Sequence, residues 1–147
     1  MIKIIQTDWK TSQNELKQIR ETVFILEQQV PVELEWDNED AESIHLLAVH
    51  CDGKSCDEPI AAGRIIISSQ QAQIGRMAVL KNWRHQGIGS DLLQQALLIC
   101  KHNKVQQVFI HAQEYIVPFY ERAGFQVVGE RFMDAGIPHK KMIIQLS

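Results

Sequence analysis

The residues best suited to chemistry lie in one stretch, Gly75 to Gly89, reading GRMAVLKNWRHQGIG, and in the helix that it opens. Gln73 to Leu80 has the content of a strand. Arg84-His85-Gln86-Gly87-Ile88-Gly89 reads as a tight, cationic turn. Ser90 to Lys101 then reads as a helix, with Ile88, Leu92, Leu93, Ala96, Leu97 and Cys100 at the spacing of one helical face. Strand, glycine turn and helix start together form a device for holding phosphate. The glycines let the main chain approach an anion, the first N–H groups of the helix have no partner inside it, and the helix dipole adds about half a positive charge there. Lys81, Arg84 and His85 supply further cations. A Walker loop is excluded because no Lys-Ser or Lys-Thr follows Gly89, and a GxGxxG dinucleotide loop is excluded because Leu92 stands where the third glycine belongs. What remains is Arg-x-x-Gly-x-Gly after a strand, a signal that depends on its surroundings.

Those surroundings are an ordinary globular chain of 147 residues, 45% hydrophobic and 22% charged, with net charge -3. The balance argues against nucleic acid or an anionic membrane as partner, and the local basic patch points to a small anionic ligand. The N-terminus lacks the apolar core of a signal peptide and no apolar run approaches the ~20 residues of a membrane helix, so a cytoplasmic location is expected. Cys51, Cys56 and Cys100 are odd in number and lack a second ligand pair, so free thiols and no metal are expected.

In chain order, Ile2 to Thr7 reads as a strand and Thr11 to Gln29 as a helix. Thr11 or Ser12 would cap it, and Leu16, Ile19, Val23, Leu26 and Val30 would form its buried face before Pro31 ends it. The acidic run Glu33 to Glu42 reads as a solvated loop or a short helical piece. Ser43–His50, Ile60–Ser68 and Gln73–Leu80 form an antiparallel meander, with Arg64 and Arg76 at solvent-facing positions. After the central helix come a strand at Val105–Ala112, a short helix at Tyr115–Ala123 stopped by Gly124, and strands at Phe125–Arg131 and His139–Leu146. The expected architecture is a single α/β (α+β) domain over residues 1–147, with a mixed, mostly antiparallel sheet of about seven strands and helices on both faces.

This order, the Arg-x-x-Gly-x-Gly turn, and the segment Ala112 to Phe125 ending in Phe-Tyr-Glu-Arg-Ala-Gly-Phe together resemble the GNAT N-acetyltransferase superfamily along nearly the whole chain. Glu27-Gln28-Gln29-Val30-Pro31, Gly75 to Val79 and Ala135-Gly136-Ile137-Pro138-His139 are similar to its ElaA-like bacterial branch. The resemblance implies acetyl-CoA as acyl donor. The pantetheine arm would lie along Met77, Ala78 and Val79, and the pyrophosphate would lie in the loop Arg84, His85, Gln86, Gly87, Ile88, Gly89 and Ser90. Gln113 stands where many relatives carry Asn. Tyr120 takes the place of the acid that meets the thiol, with Tyr115 as its fallback. Glu27 and His139 would line the acceptor side, and the acceptor would be a small-molecule amine or an exposed protein amine. A homodimer is implied only by analogy.

The chemistry so implied is direct acyl transfer. An amine of ordinary pKa ~10.4 must lose a proton to attack, the carbonyl becomes an oxyanion that the Val79 main chain can meet, and the thiolate must be stabilised. By residue type, Glu27, His45, His111 and His139 are the groups able to accept the proton, and a water chain is the alternative. The competing reading is a coenzyme A-binding sensor or interaction module without catalysis, since the glycine loop serves both.

Overall fold

The computed structural model describes residues 1–146. Seven strands, β1 (Ile2–Thr7), β2 (Ile44–Asp52), β3 (Ser55–Ser68), β4 (Gln71–Val79), β5 (Gln107–Gln113), β6 (Gln126–Asp134) and β7 (Ile137–Gln145), form one sheet in the order β1-β2-β3-β4-β5-β7-β6. Every neighbouring pair is antiparallel except β4 and β5, which run parallel. Helix α1 (Trp9–Arg20) and its continuation pack on one face through Leu16, Ile19, Val23 and Phe24 against Leu47, Val49, Ala62 and Ala78. The other face is covered by α3 (Ile88–His102) and α4 (Val117–Arg122), where Ile88, Leu92, Leu93, Ala96, Val117 and Tyr120 meet Leu46, Ile60, Ile110, Ala112 and Met142. A short α2 (Val32–Glu35) joins the first helix to β2.

The first helix departs from the simple reading in two ways. Asp8 caps it, accepting a 2.8 Å bond from the Thr11 N–H, while Ser12 sits inside at a non-helical φ of -120° and hydrogen-bonds Thr7. From Glu21 to Glu27 the helix widens to π geometry. A π turn holds more residues than the 3.6 of an α turn, so the apolar stripe loses its phase. Phe24 stays buried, whereas Leu26, expected in the core, is 69% exposed. The widened turn delivers Glu27 and Gln28 to the edge of the sheet, where they matter below.

Two further expectations change. Cys51 and Cys56 are joined as a disulfide across the β2–β3 hairpin rather than being free; their strands pair, with Asp52 opposite Ser55, and spacing alone does not reveal that they face one another. Cys100 is free and buried in the core, where desolvation pushes its thiol up to about 11. Arg64 is not solvent-facing but 4% exposed, and Arg76 is half-buried. Each sits in an otherwise apolar strand and takes its counter-charges from the acidic run.

The α4 end follows its sequence signal. Gly124 adopts φ +103°, the Phe125 N–H bonds the Tyr120 carbonyl at 3.1 Å, and the Gly124 N–H bonds the Glu121 carbonyl at 3.0 Å. This pair of bonds is a Schellman cap, with the Phe125 ring packed on Tyr120 at 5.8 Å. It fixes where Tyr120 stands. A Cβ at Gly124 would lie 3.2 Å from the Ile144 Cδ1 and would enforce a left-handed residue at a cost of ~1–2 kcal/mol. Gly124→Ala should therefore lower the thermal midpoint by about 2–8 °C. An unchanged midpoint in calorimetry would refute the role of this cap.

Candidate functional site

The site is built on a failure of pairing. β4 and β5 pair only where Gln71, Ala72 and Gln73 face Gln107, Val108 and Phe109. Beyond that, β4 runs on to Val79 and β5 to Gln113 with no pairing between them, so the sheet opens into a slot. The diverging stretch of β4 carries a bulge. Ala62 faces Ala78 and Arg64 faces Gly75, so Gly63 alone opposes both Arg76 and Met77. Arg76 takes the extra turn at φ +50°. Gly63 lies beneath it, and a Cβ there would stand 3.0 Å from the Met77 sulfur, which would have to shift.

An ion network holds the bulge. The Arg76 Nη2 donates to the carbonyls of Leu34 (3.2 Å) and Glu35 (3.1 Å) and to the Asp37 carboxylate (3.2 Å). Its Nε lies 3.1 Å from the Glu35 carboxylate but is not aligned to donate. Arg64 grips Asp37 with two 2.9 Å bonds and reaches Asp40 at 3.1 Å. Arg20 bonds Glu35 at 2.7 Å and Asp40 at 2.6 Å, between the rings of Trp9 and Trp36. Three arginines from α1, β3 and β4 thus meet three carboxylates of the acidic run. Burial pushes the Asp37 carboxyl up, but the hydrogen bonds and charge of Arg64, the Glu39 N–H and Arg76 outweigh it and bring it down to about 2. Glu35 lies deeper, and there burial outweighs the arginines and raises its carboxyl. The signal that could have revealed this network is a single arginine inside each of two apolar strands, facing a carboxylate-rich loop with no apolar period.

The loop after β4 sits at the mouth of the slot. A single helical turn, Lys81–Trp83, leads into Arg84; His85 has φ +64° and Gly87 φ +83° before α3 begins. No side chain caps α3, and the first ladder bond goes from the Asp91 N–H to the Gly87 carbonyl at 3.0 Å. The N–H groups of Ile88, Gly89 and Ser90 therefore precede the helix's own bonding and point outward. His85, Gln86 and Gly87 are exposed while Ile88 is buried, which anchors the turn. The Gly89 Cα faces Phe119 and Val79, and a Cβ there would make only ordinary contact with them.

Glu27, Arg84, Gln113 and His139 are brought to this region, but with unforeseen partners. The Arg84 Nε donates to the Val79 carbonyl at 2.8 Å, and its two terminal nitrogens make a fork with Glu27 at 2.6 and 2.9 Å. Hydrogen bonding to Arg84 lowers the Glu27 carboxyl and raises the Arg84 guanidinium. The Arg84 side chain is thus already engaged. Gln113 donates at 2.8 Å to Gln28, which no sequence signal singled out. His139 is 7% exposed and directly opposite Gln113 in the β5–β7 register. Tyr120 is 7% exposed on the α4 side, and burial pushes its hydroxyl up to about 12. His45, 1% exposed, bonds the Asp40 carbonyl beside Trp9, at the far end of the sheet from the loop. Among the described residues no group of three or more His, Cys, Asp or Glu is gathered as a metal would need, and no helix is long and apolar enough to cross a membrane.

Comparison with known proteins gives the family. The family model described as the acetyltransferase (GNAT) domain matches residues 12–146. This chain belongs to the GNAT acetyltransferase family. The N-acetyltransferase YjcF of Bacillus subtilis is 35% identical over 126 residues, covering 85% of this chain and 86% of that protein. ElaA of Escherichia coli is 32% identical over 129 residues, covering 84% and 81%, and its crystal structure superposes with a TM-score of 0.85 over 97% of this chain and 99% of that one. An acyl-CoA N-acyltransferase from Pseudomonas aeruginosa does so with a TM-score of 0.85 at 27% identity, covering 97% and 99%. As a GNAT enzyme, the chain is an acyl-transferring N-acetyltransferase.

The network also predicts an acid limb in stability. The carboxyls of Asp37 and Asp40 are lower in the fold than in the unfolded chain, so the unfolded chain binds more protons in that range. Their contribution is present above the ordinary carboxylate range near 4 and is lost as pH falls through about 2 for Asp37. Glu35, shifted upward, has the opposite sign. Denaturant titrations across pH 2–5 should show Asp37→Asn with a shallower rise in stability with pH than the parent chain; an equal slope would mean that Asp37 is not ion-paired in solution.

Proposed function

We propose that this enzyme moves the acetyl group of acetyl-CoA directly onto an amine held on the α1 side of the sheet. The observation that carries the reading is the slot between β4 and β5 opening onto the uncapped start of α3. The two features fit the two ends of one ligand. The free edge of β4 at Met77, Ala78 and Val79 can pair with the amides of a pantetheine arm as an added strand would. The N–H groups of Ile88, Gly89 and Ser90, with the exposed turn at His85, Gln86 and Gly87, suit a pyrophosphate. Because Glu27 and Val79 hold the Arg84 guanidinium, the phosphates are met chiefly by main chain, and Arg84 acts on the loop's shape. Gln113, opposite Met77 to Val79 across the slot, is placed to bond the same arm once it leaves Gln28.

In this reading the amine attacks the thioester carbon while the Val79 main chain meets the oxyanion. Tyr120 faces the leaving sulfur. With its hydroxyl near 12, outright proton transfer to a thiolate of ordinary pKa ~8.5 is uphill by roughly 5 kcal/mol. Tyr120 therefore stabilises the thiolate by donating a hydrogen bond, and the proton comes from water. The acceptor is a small-molecule amine or an exposed protein amine. The relatives' acyl-CoA chemistry, as the Pseudomonas enzyme's description gives it, supports the donor.

Thermal unfolding with and without acetyl-CoA tests the donor. At ~100 times the dissociation constant a ligand adds about 2.7 kcal/mol, a rise of roughly 5–10 °C for a chain of this size. Gly87→Val, which forces a β-branched residue to φ +83°, should abolish the rise. No rise in the parent chain with acetyl-CoA or CoA would sink the assignment. Tyr120→Phe should keep the acetyl-CoA shift while steady-state turnover falls by about 10–100-fold, the loss of one hydrogen bond to a charged group; turnover equal to the parent's would remove Tyr120 from the chemistry.

A further inference from the structure

We infer that His139 is the group that takes the proton from the acceptor amine; the inference rests on the acetyl-transfer reading above. The strand registers set its position. Opposite residues in an antiparallel pair share a face. Gln113 faces His139, His111 faces Lys141 and Phe109 faces Ile143, while Phe132 of β6 also faces His139. Ile110, Ala112 and Met142, one residue out of phase, point to α3 and α4. The row Gln113, His139 and Phe132 therefore lies on the α1 side at the end of β5, where the slot opens and where Gln113 is tied to Gln28. Tyr120 belongs to the opposite face. A thioester threading the slot has its leaving sulfur toward one face and its amine approach from the other.

The ring of His139 is set for a base. Its Nδ1 lies 2.7 Å from the Ile137 carbonyl. A carbonyl only accepts, so Nδ1 carries the proton and the lone pair of the neutral ring is on Nε2. The ring is stacked on Phe132 at 5.7 Å and 27°, which fixes its plane. Nε2 has no hydrogen-bond partner among the described residues. It is also not sealed off: the buried side-chain nitrogens and oxygens left without a partner are Arg64 Nε and Arg76 Nε. A histidine 93% covered, oriented by one nitrogen and open at the other, differs from a histidine that merely fills space.

The other three groups of suitable type are engaged or misplaced. Glu27 is forked onto Arg84, and its carboxylate is accordingly a weaker base. The Nε2 of His45 donates to the Asp40 carbonyl at 2.9 Å at the far end of the sheet. His111 lies on the right face but is exposed, has no hydrogen bond to orient it, and is shifted down by burial and by Lys141. His139 lies close enough to His111 on β5 to lower its proton affinity, and Lys141 of β7 and Asp134 of β6 act on that same His111.

In the step, the amine nitrogen bonds the thioester carbon and the carbon–sulfur bond breaks. The amine attacks as its free base, its ammonium proton lost to water; the proton that its nitrogen sheds as the new bond forms passes to the His139 Nε2, and the imidazolium returns it to water. The thiolate leaves with Tyr120 hydrogen-bonded and takes its proton from water. The test compares the parent chain with His139→Gln, using acetyl-CoA and a panel of a polyamine, a lysine peptide and an arylalkylamine. His139→Gln should keep the acetyl-CoA thermal shift and the KM for acetyl-CoA, lower kcat about 100–1,000-fold near neutral pH, and lose the acidic limb of the rate profile. Nitrogen NMR of the parent should find the neutral His139 protonated on Nδ1, with Nε2 moving on addition of acetyl-CoA. A shift in the parent, with unchanged kcat and pH profile in His139→Gln, overturns the role of His139 alone. No shift and no turnover in the parent overturns the acetyl-transfer reading and this one with it. Should His139→Gln fail to fold, the NMR decides by itself: a neutral ring protonated on Nε2 overturns the inference.

Discussion

Everything in this molecule follows from β4 parting from β5 after three residue pairs. Two parallel strands that stayed paired would bury both edges in each other's hydrogen bonds and leave nothing for a ligand. Parting them exposes main-chain donors and acceptors, which is costly unless something takes their place. The bulge at Arg76 lies in the stretch of β4 that has already left β5, where two residues of β4 stand against Gly63 alone. A left-handed arginine does not sustain itself, however. The carbonyls of Leu34 and Glu35 and the carboxylate of Asp37 hold it, and Arg64 and Arg20 hold those carboxylates in turn. Such a network is worth little compared with apolar packing of equal volume, but losing one member leaves a buried charge uncompensated, at a cost of ~3–5 kcal/mol. Its value is therefore specificity of shape: it ties the acidic loop, the first helix and the bulge into one rigid wall of the slot.

The same wall reaches the loop before α3. The π segment of the first helix sets Glu27 and Gln28 side by side, one held by Arg84 below the glycine turn, the other by Gln113 at the end of β5. Two consecutive residues thus touch both arms of the open slot. This dipeptide physically links the loop before α3 to the end of β5.

The two faces of the sheet have distinct electrostatic characters. On the α4 side Tyr120 is buried among Phe119, Phe125 and the core, which keeps it protonated far above neutral pH. On the α1 side, the His139 imidazole is fixed by a carbonyl and a ring, with cationic and titratable neighbours at the surface. In the proposed reaction leaving group and nucleophile need opposite help, a donor for one and an acceptor for the other, and the sheet holds Tyr120 and His139 on opposite faces.

By itself the sequence determined the elements and the glycine turn before α3, because these are encoded locally. Glycine at 87 permits a positive φ, the apolar period of α3 chooses its face, Gly124 ends α4, and the order of strands and helices admits the mixed seven-stranded sheet that forms. It also carried Tyr120, through a motif that lies within one turn of its cap. Only the tertiary structure decided what depends on distance along the chain. Arg64 and Arg76 looked like surface residues because their carboxylates lie 24 to 41 residues away; Cys51 and Cys56 looked free because pairing across a hairpin is a matter of register; Leu26 looked buried because a π turn, not visible in the apolar period, shifts the phase of the helix. His139 could be named from its type, yet its tautomer and its place opposite Gln113 exist only once β5, β6 and β7 have chosen their register.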